Sequence, residues 1–73
     1  MRLRFTYHAQ SQALARHIHE SRVADTIRSH DSAEQTAGGA VLFRKGYADG
    51  TLEAICARGK RKNEYLVLTM YYL

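Results

Sequence analysis

Seventy-three residues with no proline, no tryptophan and a single cysteine make one compact domain, residues 1–73, too short for a second core. Eleven lysines and arginines against seven aspartates and glutamates give a formal net charge of +4, which favours phosphate backbones or an acidic protein segment as partners. Cys56 alone excludes an internal disulfide, and no stretch has the apolar length of a signal peptide or membrane span, so a cytoplasmic chain without membrane contact is expected.

Arg2–Phe5 alternates basic and apolar residues, as a short edge strand does with Leu3 and Phe5 turned inward. Thr6 is placed to cap a helix in which Tyr7, Leu14 and Ile18 fall near one apolar face, the face expected to pack on a sheet. A second helix begins near His19 and Glu20, with Ile18 and Val23 spaced as a hydrophobic staple and Val23, Ile27 and His30 along one side. Residues 29–39 read as a loop, and Gly38-Gly39 precedes no helix, so it punctuates a turn and forms no phosphate loop. Asp49-Gly50 suits the positive φ angles of a two-residue hairpin turn, which pairs Tyr47 with Leu52, Lys45 with Ala54 and Phe43 with Cys56. That face is the buried one, with Lys45 at its rim. The run "EYLVLTMYY" reads as a central strand covered on both sides. The expected fold is α+β, two N-terminal helices packed on an antiparallel sheet in the order βααβββ.

Three groups of residues could carry chemistry. His8, Gln12 and Arg16 recur at intervals of four and form a polar row along the first helix. In the first turn the helix dipole disfavours imidazolium and favours an anion, so His8 suits a neutral proton acceptor beside a phosphate and Arg16 a phosphate clamp. Metal-free ribonuclease chemistry needs such a base, a cation for the phosphorane and an acid for the leaving oxygen. The same row equally suits a solvated helix start, with Arg16 complementing the helix C-terminus, or a contact that holds the helices in place. Arg58, Lys60, Arg61 and Lys62 put four cations into five residues of an expected hairpin loop, within reach of a nucleic-acid backbone. A solvated loop that blocks edge-to-edge aggregation has the same composition. His17 and His19 form an H-x-H pair with no cysteine or carboxylate to complete a ligand set, so neither a metal nor another cofactor is expected. The strand aromatics Phe43, Tyr47, Tyr65, Tyr71 and Tyr72 read as core, and Cys56 as a small buried hydrophobe.

Tyr7-His8-Ala9 followed by Gln12, Arg16 and Ile18 resembles the opening of the bacterial domain-of-unknown-function family 4258, whose pattern runs His-Ala, a basic residue four after the histidine, arginine eight after it, then isoleucine. Gln12 stands where the family usually has arginine, which removes one cation. "LFRKGY", "TLEAICA" and "YLVLTMYYL" extend the resemblance over most of the chain. It implies a fold similar to the RelE and ParE toxins, a group that includes messenger-RNA endonucleases and toxins acting on DNA gyrase. The combined expectation is a small RelE-like domain that binds RNA and cleaves it without metal, with His8 as base, Arg16 as clamp, and Gln12, Lys45 and the 58–62 loop on the backbone. The alternative is a non-catalytic module that docks an acidic antitoxin-like protein or an added strand. A core this thin also makes a homodimer an expected source of stability.

Overall fold

The computed structural model describes all residues, 1–73, as β1 (Arg2–Phe5), α1 (Tyr7–Ala15), α2 (Glu20–Arg28), β2 (Ser32–Gln35), β3 (Val41–Tyr47), β4 (Gly50–Arg58) and β5 (Glu64–Tyr72). The five strands form one sheet in the order β1-β5-β4-β3-β2, antiparallel throughout except that β1 runs parallel to β5. The fold is therefore α+β with a mixed sheet. Two parts of the expected order are corrected. The segment expected as a loop contains β2, whose residues are all exposed, so no apolar alternation marks it. The parallel pair arises because almost the whole chain lies between β1 and β5, giving ample length for the crossover that parallel strands require.

One face of the sheet carries both helices, α1 over β5 and β1, and α2 over β3 and β4. Between them lies a core of Ala9, Ala13, Ile18, Val23, Ile27, Val41, Phe43, Leu52, Ala54, Cys56, Val67 and Met70. Leu3 and Phe5 pack against its edge, as their alternation with arginine implied. β5 is interior, flanked by β1 and β4, but its second face is not covered by helices, and β4 takes the centre. A bulge explains its unbroken apolar sequence. Ile55 pairs with Thr69 while Cys56 pairs with Val67, so Leu68 is the extra residue, and Val67 and Met70 both reach the core although three residues apart.

Thr6 caps α1 by accepting a hydrogen bond from the Ala9 N–H at 2.9 Å. The packed face of α1, however, is Ala9 and Ala13, whereas Tyr7 and Leu14 are 90% and 81% exposed. Seven residues place Tyr7 and Leu14 on one side of the helix, as expected, but that side is turned outward. Two alanines four apart let the helix axis approach β5 closely, and a tyrosine and a leucine there would hold it off. Ile18, the third member of the expected face, is buried from beyond the helix end. The chain leaves α1 through a Schellman turn: the His17 N–H donates to Leu14 C=O and the Ile18 N–H to Ala13 C=O, with His17 in the left-handed region at φ 55°. α2 follows with His19 as its N-cap residue and Ile18 and Val23 buried as the staple implied.

The β3–β4 register is displaced from the expected one by two residues. Tyr47 pairs with Gly50, Lys45 with Leu52, Phe43 with Ala54 and Val41 with Cys56, so the turn is Ala48-Asp49. Gly50 still supplies the positive φ, 137°, but as the first strand residue, and the Asp49 carboxylate is held by the Arg22 guanidinium at 2.9 Å. A shift of two keeps every side chain on its face, so the expected inner face is the observed one.

Candidate nucleic-acid interface

The loop between β4 and β5 is braced from within. The Glu64 carboxylate accepts the Lys60 N–H at 3.1 Å, the Gly59 N–H donates to Glu64 C=O at 2.7 Å, and Asn63 turns the chain into β5 with φ 61°. A Cβ on Gly59 would collide with the Glu64 side chain, so glycine is required for this brace. The Arg2 N–H donates to Asn63 C=O at 2.9 Å and fastens the start of β1 to the same loop.

These contacts bring two distant basic segments together. A cleft of about 600 Å³ is lined by Arg2, Leu3 and Arg4 of β1 with Lys60, Arg61 and Glu64. A second cleft joins Arg4 to Arg58, Tyr65 and Leu66, and a third joins Arg58 to Lys62. The six cations Arg2, Arg4, Arg58, Lys60, Arg61 and Lys62 form no salt bridge, and every ion pair of the molecule lies elsewhere, on Arg22, Arg44 and Lys45. Glu64, the only carboxylate lining this end, is occupied with the loop backbone. Six cations against one carboxylate leave five cations and six carboxylates for the rest of the chain, so the positive surplus of the protein is confined to this end. Arg2 and Arg4 are members of this cluster that no basic run in the sequence marks. Their alternation with Leu3 and Phe5 placed them outward, but only the β1–β5 pairing sets them beside the loop.

The polar row on α1 is not part of that cluster. Each step of four residues turns a helical position by about 40°, so from His8 to Arg16 the row swings by about 80° and climbs about 12 Å. His8 is exposed, Gln12 half-buried, and the Arg16 guanidinium donates to Met70 C=O at 2.6 Å, clamping the end of α1 onto β5. None of the three lines a cleft with Arg58, Lys60, Arg61 or Lys62. Lys45 lies on β3 and pairs with Asp25 at 3.1 Å. It belongs to a charge-balanced network at the hairpin end, where Tyr47 O–H donates to Asp25 at 2.7 Å and Arg22 meets Asp49, Tyr72 and the face of Tyr47. The hydrogen bond from Tyr47, then the one from Lys45, holds the Asp25 carboxyl below the usual carboxylate range. This network ties α2 to the β3–β4 hairpin.

On the face of the sheet away from the helices, Arg44, Glu53 and Tyr71 stand side by side on β3, β4 and β5. Glu53 is only 3% exposed; it accepts from Arg44 Nε at 2.6 Å and from the Tyr71 hydroxyl. Burial raises its pKa, but the Tyr71 and Arg44 hydrogen bonds outweigh that and leave it lowered. Burial alone pushes the Cys56 thiol up to about 12. No three of the His, Cys, Asp and Glu side chains are grouped as metal ligands would be, with His17 in the turn after α1 and His19 at the start of α2. No helix is long and apolar enough to cross a membrane.

Comparison with known protein families, with curated proteins and with solved structures finds no match to this chain.

Proposed function

We propose that the domain binds single-stranded RNA, with the cleft between β1 and the β4–β5 loop holding the phosphate backbone. The observation that carries this is the segregation of charge: six cations without ion-pair partners converge on one end, while the remaining five cations are outnumbered by six carboxylates and three of them, Arg22, Arg44 and Lys45, are held in ion pairs. Unpaired cations repel one another, and a polyanion that displaces its condensed counterions onto them gains both attraction and counterion entropy. The clefts are open and predominantly polar at their largest, as backbone binding requires and small-molecule enclosure does not. The resemblance to the RelE and ParE toxins, with messenger-RNA endonucleases among them, points in the same direction.

The test is titration of a labelled single-stranded RNA with the purified domain, beside poly-glutamate of matched charge. Micromolar RNA binding that weakens steeply with salt supports the proposal. Tighter binding of poly-glutamate would shift it to an acidic protein partner. The same mixtures, kept with a chelator, report on cleavage: RNA cut by the wild type and left whole by His8→Ala adds transphosphorylation at α1, and RNA left whole by both restricts the domain to binding.

A further inference from the structure

Four of the five tyrosines are engaged within the fold: Tyr47 with Asp25, Tyr65 edge-on to Phe43 at 5.2 Å, Tyr71 with Glu53, and Tyr72 with Arg22. Tyr7 is different. It is 90% exposed, its hydroxyl has no hydrogen-bond partner, and no other ring lies against it. A large aromatic side chain that neither packs nor bonds contributes little to folding.

Its position is continuous with the basic clefts. Arg4 lines the cleft of the 58–62 loop, the cleft of Arg58 and Tyr65, and a further one of about 460 Å³ formed with Phe5, Thr6, Tyr7, Gln10 and Leu66. The track from Lys60 and Arg61 along β1 therefore ends on the Tyr7 ring. No aspartate or glutamate occurs before Glu20, so nothing in β1 or α1 repels a phosphate there. Gln10 sits in the same cleft with its amide donating to Phe5 C=O at 3.2 Å.

We propose that Tyr7 is a stacking platform for an unpaired base of the RNA whose backbone occupies the basic clefts, a role that rests on the RNA-binding reading above. Phosphate contacts hold the strand without regard to sequence, and an exposed ring at the end of the track adds a contact that only a base can make. A double helix keeps its bases stacked on one another and cannot offer one to Tyr7, so the site selects single strands.

The test compares a base-bearing single-stranded RNA with an abasic ribose-phosphate oligomer of equal length and charge, using wild type, Tyr7→Phe and Tyr7→Ala, with thermal melting of each variant alongside. Wild type and Tyr7→Phe are expected to bind the base-bearing strand roughly 5- to 150-fold more tightly than the abasic one. Tyr7→Ala is expected to lose that preference, keep its abasic affinity and melt as the wild type does. Equal affinity of wild type for both strands, with Tyr7→Ala unchanged, overturns the stacking role and leaves backbone binding standing. Failure of wild type to bind either strand overturns both.

Discussion

At the residue scale, Cys56 and His17 make opposite use of their surroundings. Cys56 faces the core at 0% exposure with its thiol pushed up to about 12, so almost no thiolate forms near neutrality. Native protein is expected to resist a thiol-specific reagent at pH 8 and to react fully once denatured; rapid labelling of native protein would refute the burial. His17 occupies a left-handed position that glycine adopts without a Cβ penalty. His17→Gly should raise stability by about 1 kcal/mol in denaturant titration, since the penalty removed exceeds the extra freedom given to the unfolded chain. Cys56 was readable as a buried hydrophobe because its strand alternates. Nothing in "ARHIH" marks His17 as the turn residue, because the turn is set by where α1 meets β5.

At the scale of elements, α1 shows how far periodicity reaches. The cap at Thr6, the helix itself and the staple into α2 all follow from local chemistry, and all are found. The phase of the helix is decided by what fits under it. Ala9→Leu or Ala13→Leu should therefore destabilise by about 1–3 kcal/mol through overpacking against β5, whereas Leu14→Gln should change the thermal midpoint little. In the antiparallel β3–β4 hairpin, the dipeptide Asp49-Gly50 locates the turn to within a residue, and the alternation assigns the buried face. The two-residue displacement hid the Arg44–Glu53 pair, which exists only when those residues stand directly opposite.

That pair has a consequence for pH. The folded-state pKa of Glu53 lies below that of the unfolded chain, so below about pH 4.5 the unfolded state binds more protons and stability falls with acidification. The contribution is fully present above the unfolded value and disappears as pH drops through the folded one. Glu53→Gln should flatten part of this acid limb in a series of melts at different pH, and Asp25, whose carboxyl is also lowered, contributes to it in the same sense. An unchanged acid limb in the variant would show that Glu53 is not held as the structure has it.

For the whole molecule, paired and unpaired charges lie in different places. The ion pairs of α2 and the sheet are balanced and internal to the structure, while the cations of β1 and the 58–62 loop are left unmatched. The sequence disclosed the loop as a basic run. It could not disclose Arg2 and Arg4 as its neighbours, because more than fifty residues separate the two segments and only the parallel β1–β5 pairing joins them. It also left open whether His8 shares a side with that loop; His8 is exposed on α1 and lines no cleft with the loop cations, and the Arg16 guanidinium is bonded to Met70 C=O.

The most direct test of the basic interface is the salt dependence of single-stranded RNA affinity for wild type, for an Arg2→Ala/Arg61→Ala double variant, and for Arg28→Ala, an exposed cation on α2 that lines none of the clefts. With six phosphate contacts the slope of log K against log salt should be about −4, and removal of two should make it shallower by about 1.4. Arg28→Ala should leave the slope as it is. A slope that responds to Arg28 as much as to Arg2 and Arg61 would show that RNA is attracted by net charge alone and that the cleft is not its seat.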